Sequence, residues 1–367
     1  MNTLALTEQL YAWFDHFHAN PEISFQEVET TKKLAEILTE LGVRHYTFDD
    51  VTGVIAEIGE GEEVIAIRAD IDALWQEVDG VMQGNHSCGH DANMTMVLGA
   101  LLQLKDETFS KRIRFVFQPA EEQGGGALAM IERGVVEDVT HFFGVHLRPA
   151  EELPFGKVTP AIHHGSAVFL NGAIRGADAH GARPHQGQNA IDVLFAIQQF
   201  VKSIYIDPFE ASSVKMTRMQ ADGGSVNIIP GNATFSIDVR AQKNSVREDI
   251  QRRLEVGFAQ IASMHGVDIT YEWIDETPGA EVSQQAAALA EQSIVEVNAD
   301  YLAPQVYTPG SDDFHFYTIK KPEIKAAMIG IGADLTPGLH HPQMTFKKEA
   351  LVVGANVLAQ TLRNAAK

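Results

Sequence analysis

A single cysteine, Cys88, occurs in 367 residues, so no intrachain disulfide framework can brace the fold, and the composition suits a reducing compartment. Basic residues are scarce. Against 49 Asp and Glu stand 28 Lys and Arg, a formal net charge of −21. Such a surface repels phosphate backbones and anionic lipid heads, which argues against nucleic acid and membrane as partners. No apolar run approaches the length that crosses a bilayer, and residues 1–22 lack a basic segment followed by an apolar one. The expectation is a soluble, cytoplasmic protein that is not exported. Repeats and low-complexity tracts are missing too, while 45% hydrophobic residues provide for a full-sized core and the length favours two domains over one.

The pattern along the chain changes twice. Helical periodicity over 6–18 and 26–41 leads into short apolar, β-rich runs, GVIAEIG, VIAIRAD, RIRFVFQ and THFFGVHL, with helix-like stretches at 91–104 and 125–133. Buried strands separated by helices describe an α/β domain whose mostly parallel sheet is covered by helices. From about residue 166 the strands alternate polar and apolar residues (AVFLNGAIRG, SVKMTRMQA, ATFSIDVRA, VDITYEWI), with helices expected at 189–204 and 246–265. This reads as an α+β layer of four strands with helices on one side. After 277 the helix–strand alternation resumes, with helices near 283–297 and 348–362 and a strand near 325–331. The simplest organisation is a domain of residues 1–165 and 278–367 with an inserted domain, 166–277. Charge follows the same division: the insert holds 10 Lys and Arg against 13 Asp and Glu, net −3, and the remainder 18 against 36, net −18.

Polar residues collect where the strand-like runs end. VIAIRAD closes on Asp70, with Asp72 just beyond; RIRFVFQ runs into Glu121 and Glu122; THFFGVHL carries His146. In an open α/β sheet the carboxyl ends of the strands form the ligand crevice, so these side chains are expected to converge. A lone cysteine is ordinarily a small buried hydrophobe. Here His86 and His90 flank Cys88, Gly89 permits a tight turn and Asp91 stands at a helix start, a pattern that seats a divalent ion. A nucleophilic thiol with a histidine base is the alternative from the same residues. Adjacent carboxylates usually form only a solvated face. At a strand end, next to proline and glycine, Glu121 and Glu122 can instead divide metal binding and proton transfer, which a metal hydrolase needs and a cysteine hydrolase does not. His146, His340 and His341 sit beside glycine or proline at strand or loop ends, as metal ligands often do. His18, His45 and His265 read as partly exposed polar residues. His163 and His164 lie near the expected domain boundary and carry no assignment, and His180, in the inserted segment, cannot be placed by the sheet rule.

RADIDAL, SCGHD, QPAEE, GVH, AHGARPHQGQNAI, IIPGNATFSIDVR, GSDDF and LHHP, in this order across nearly the whole chain, resemble the aminoacylase and carboxypeptidase type of co-catalytic metallohydrolases. The match is closest to the amidohydrolase branch, with its hippurate hydrolases, N-acyl amino acid deacylases and auxin-conjugate hydrolases. The resemblance implies a metal-dependent amidohydrolase acting on small N-acyl amino acids or related conjugates. It implies two divalent ions per subunit, zinc, manganese or cobalt, held by Cys88, His90, Glu122, His146 and His340. Glu121 matches the general base, Asp72 a supporting carboxylate, His180 a catalytic histidine of the inserted domain, and Asn232 and Arg240 positions that contact the substrate carboxylate. The inserted domain would act as lid and as the surface of a homodimer. Two positions depart from the family's pattern: Trp75, where relatives read proline, bears on the pocket, and Asn93 replaces a frequent histidine. A true dipeptidase and a non-enzymatic binding protein remain as alternatives. Glu121 weighs against the latter.

Overall fold

The computed structural model describes residues 3–367. The chain divides into two compact units: one contains the chain up to His163, Glu281–Tyr307 and Asp313–Lys367, and the other His164–Ala280 with Thr308–Asp312.

In the first unit, seven strands form one sheet in the order Arg44–Thr47, Val54–Ile58, Arg112–Gln118, Val64–Asp70, Val139–Pro149, Lys325–Leu335, Val158–Thr159. The four central strands are parallel. Their near-continuous burial is what a parallel sheet covered on both faces requires. Alternate residues serve the two faces: Ile65, Ile67 and Ala69 join one apolar cluster, Val64 and Ala66 another. Val54–Ile58 and Val158–Thr159 are antiparallel to their inner neighbours, within the mostly parallel sheet that was expected. Val54–Ile58 pairs antiparallel with Arg112–Gln118, because only a short turn joins it to Val64–Asp70 and leaves no room for a crossover helix. Helix His90–Leu104 is buried around nearly its whole circumference, so its sequence shows little amphipathic contrast.

In the second unit, four antiparallel strands run in the order Ser212–Ala221, Asn232–Ala241, Ser166–Arg175, Asp268–Thr277. Val168, Leu170 and Ile174 alternate with exposed Asn171 and Arg175, and that apolar face meets helices Ala190–Ser203 and Asn244–His265. Thr308–Asp312 groups with this unit, where the Thr308 and Gly310 carbonyls both accept from the Gly165 amide. No helix among the described residues is long and apolar enough to cross a membrane.

Candidate metal centre

Side chains converge where the parallel strands end. Asp70 closes strand Val64–Asp70 with Asp72 two residues on, strand Arg112–Gln118 leads through Pro119 and Ala120 to Glu121 and Glu122, and His146 lies in strand Val139–Pro149. Buried Ala120 has φ +52, a left-handed backbone that a residue with a side chain holds only when its surroundings enforce it. Glu27, fully buried, accepts the Ala120 amide at 2.8 Å and the Thr52 hydroxyl at 2.6 Å, fixing the turn that presents both glutamates. Cys88 and His90 come from the entry to helix His90–Leu104. Between them Gly89 takes φ +84, and a Cβ there would lie 3.2 Å from Leu147, so the turn requires glycine.

Ligand atoms of Cys88, His90 and His146 all lie within 4.8 Å of one another; so do those of Cys88, Glu122 and His340, and those of His90, Glu121 and Glu122. Cys88 Sγ is 3.5 Å from His146 Nε2, and the Glu122 carboxylate lies 3.8 Å from His90 Nε2 and 3.5 Å from His340 Nε2. The remote ring nitrogens are also engaged. His90 Nδ1 faces the Asp72 carbonyl at 2.9 Å and its carboxylate at 3.2 Å, and His146 Nδ1 faces the Leu147 carbonyl at 2.7 Å, which turns each Nε2 toward the centre. The Asp72 carboxylate further accepts from the Ser24 hydroxyl at 2.6 Å and the Glu122 amide at 3.0 Å. Burial opposes its charge, but His90, Ser24 and that amide hold its pKa below the usual carboxylate range.

These residues fit divalent cations. His90 Nε2 and Glu122 Oε1 are buried without a hydrogen-bond partner, an expensive state for polar atoms unless a ligand meets them. Burial, and then the Glu122 charge, push the Cys88 thiol well above its ordinary pKa, while burial raises Glu122 against the pull of His90 and His340. A dry, anion-rich cluster of thiol, imidazole and carboxylate is what a divalent ion neutralises. The same shift counts against a nucleophilic cysteine, which needs a depressed pKa. Cobalt-loaded protein is therefore expected to show a thiolate-to-metal charge-transfer band that Cys88→Ser lacks. An unchanged spectrum in the variant removes the thiol from the coordination sphere.

Beneath the donors lies a network that sequence reasoning missed. Arg68, wholly buried, donates to Asp70 at 2.5 Å, to Asp313 at 2.8 Å and to Gln118 at 3.0 Å, while Asn93 donates to Asp70 at 2.8 Å. Burial opposes protonation of His90, but the charge of Asp70, 3.7 Å away, and of Cys88 raise its pKa well above the ordinary value. Asn93 thus has a defined partner. His86 is buried with neither ring nitrogen hydrogen-bonded, and burial lowers its pKa. A hairpin, Leu74–Val78 and Val81–Asn85, was also overlooked, although its Asp79–Gly80 turn, with φ +50 and +84, is the strongest short signal for a two-residue hairpin loop. Trp75 stands on it, 59% exposed.

The remaining expected residues lie in the second unit. His180 is exposed on the short strand Ala179–His180, which pairs with Ile228–Ile229, and its Nδ1 accepts the Ala182 amide at 3.0 Å. Asn232 opens strand Asn232–Ala241 and Arg240 nearly closes it, so about 27 Å separates them at ~3.4 Å per residue. The structure does not bring these two together. His180 belongs to the Asn232 end, where the Gly231 amide donates to Asp178 at 2.6 Å. Arg240 donates to Asp238 at 3.1 Å and lies over the Phe169 ring at 5.7 Å.

Residues 66–364 match the family described as Peptidase family M20/M25/M40. An N-acetylcysteine deacetylase of Bacillus subtilis is 33% identical, covering 94% of this chain and 93% of its own length. The IAA-amino acid hydrolase ILR1-like 4 of Arabidopsis thaliana is 31% identical over 97% of this chain and 86% of its own. Among solved structures, a dinuclear metal-binding peptidase of the M20 family from Bacillus subtilis superposes with a TM-score of 0.83 at 29% identity, covering 99% of each chain.

Proposed function

Because this chain belongs to the peptidase family M20/M25/M40, we propose that it is a two-metal amidohydrolase that cleaves the amide bond of small N-acyl amino acids. The observation that carries the reading is the gathering of Cys88, His90, Glu122, His146 and His340 beside a second glutamate, Glu121. In the relatives named above, the reaction removes an acetyl or IAA group from an amino acid.

Cys88, His90, Glu122, His146 and His340 would hold the ions, and Asp72 orients His90 for that task. When bound, two ions of zinc, manganese or cobalt supply Lewis-acid polarisation of the amide carbonyl and an acidified water. Glu121 takes the proton of the attacking water and delivers it to the departing amine. His180 donates to the carbonyl oxygen as negative charge develops on it. Arg240, together with an Asn232 contributed by a second copy of the chain, receives the substrate carboxylate, Arg240 through its planar fork. The single buried cysteine and acidic surface suit an enzyme of the cytoplasm.

The second unit serves as lid and as the face of a homodimer. Its strand Ser212–Ala221 lies at the edge of the sheet, exposed Ile191 and Phe195 project from helix Ala190–Ser203, and its net charge of −4, 10 Lys and Arg against 14 Asp and Glu, opposes self-association least.

Acetyl-, benzoyl- and indoleacetyl-amino acids, assayed beside dipeptides before chelation, after it, and after metal is restored, test the reading. Turnover of the N-acyl amino acids should vanish and return with metal. Faster cleavage of dipeptides makes the protein a peptidase, and metal-loaded protein idle on every substrate makes it a binder. In the same panel, Arg240→Ala should raise KM for acid substrates by the equivalent of about 1.5–3 kcal/mol. Equal losses on an acid and its primary amide would show that Arg240 does not read the carboxylate.

A further inference from the structure

Among the imidazoles gathered at the centre, His340 is held differently. His90 and His146 are buried within a helix and a strand, whereas His340 stands on a loop with its side chain 55% exposed and its backbone left-handed, φ +65. Such a backbone persists in a non-glycine residue when neighbours over-determine it. Here they do so on both sides of the residue. The His340 amide donates to the Ser87 carbonyl at 2.8 Å, and the His340 carbonyl accepts from Gln76 Nε2 at 3.2 Å. Asn85 Nδ2 in turn donates to Gln76 Oε1 at 2.8 Å and to the Pro342 carbonyl at 2.9 Å, so one amide orients the other while tying down the far side of the loop.

Both amides belong to the hairpin. Leu74 pairs with Asn85 and Gln76 with Gln83, which puts Gln76 and Asn85 on one face as diagonal neighbours. The two-residue Asp79–Gly80 turn fixes that register, and a slip by one residue would turn both amides to the opposite face. Chemistry specifies the residue types as well. Gln76 must donate and accept at once, and Asn85 must donate twice; neither Glu nor Asp supplies the donors.

We propose that Gln76 and Asn85 form a positioning clamp that sets the backbone of His340 and thereby the affinity of the centre for one of its two ions. The proposal rests on His340 being a metal ligand. Neither clamp residue is assigned a contact with substrate or with the reacting atoms.

The test is zinc binding to chelator-treated protein, by calorimetry and by competition with a chromophoric chelator, for wild type, Gln76→Ala, Gln76→Glu, Asn85→Ala and His340→Ala. Thermal melts of the metal-free proteins accompany it. Wild type should take two ions, and His340→Ala should lose tight binding of one. Both alanine variants in the clamp should weaken that same ion roughly 10–100-fold, the usual effect of losing a partner that orients a ligand, and leave the other ion and the metal-free melt unchanged. Gln76→Glu should behave as Gln76→Ala. Clamp variants with wild-type affinity for both ions, beside a His340→Ala protein that loses one, overturn the clamp and leave the ligand standing. Two tight ions in His340→Ala overturn the ligand reading and the clamp with it. Weakening of both ions with a lowered metal-free melt shows general loosening, and that outcome also overturns the clamp.

Discussion

Glu121→Gln is expected to lower kcat by about 10²–10⁴-fold while fold and metal content stay at wild-type levels, since general-base catalysis contributes on that scale. The substitution is nearly isosteric, and the amide oxygen can still accept the Asp313 amide that Glu121 accepts at 3.4 Å. What disappears is the group that takes a proton. Glu122 provides the control. Its carboxylate lies within reach of both His90 and His340 and within the donor set of Cys88, so Glu122→Gln should lose metal and activity together. Turnover, metal content by elemental analysis and a thermal melt on both variants separate the roles. Near-normal turnover by metal-loaded Glu121→Gln removes Glu121 from the mechanism.

The architecture of the sheet and the convergence of the strand-end side chains were legible for one reason: both are local. An apolar run such as VIAIRAD that ends in acidic residues states its burial and its chemistry within a few positions, and the strand-end rule then predicts convergence without contact information. The hydrolase class and the family resemblance read from those motifs agree with the relatives found for the chain. Long-range support was not legible. Glu27 steadies Ala120 from 93 residues away, Ser24 reaches Asp72 over 48, and Arg68 meets Asp313 over 245. Nothing in the spacing of a buried Glu or Ser announces such a partner. A mostly parallel sheet was legible, but not that Val54–Ile58 is one of its antiparallel strands, because burial alone does not encode direction. The hairpin escaped for another reason: its Asp79–Gly80 signal lay in the sequence, between segments whose partial exposure blurred the alternation that marks a strand.

A co-refolded mixture of His180→Ala and Glu121→Gln is expected to recover about a quarter of wild-type activity, although each parent alone should be nearly inactive. The reason lies along one strand. A small N-acyl amino acid cannot touch both Asn232 and Arg240 of one chain when about 27 Å of extended backbone separates them. If both read the same substrate, they come from different subunits, and His180 goes with Asn232, because its strand pairs with Ile228–Ile229 just ahead of that residue. A two-fold dimer through the less charged unit meets this requirement, each subunit lending its His180 end to the partner's centre. In a hybrid dimer, one centre then combines an intact Glu121 with an intact His180 from the other chain, and the second centre lacks both. Random pairing of equal amounts makes half the dimers hybrid, each with one working centre in two, hence about a quarter of the activity. Asn232→Ala should complement Glu121→Gln in the same way, whereas a variant that pairs Arg240→Ala with intact Asn232 and His180 should not. Hybrids verified by differential tags that stay inactive, while both parents remain folded and metal-loaded, would place His180 in its own chain's centre or outside catalysis.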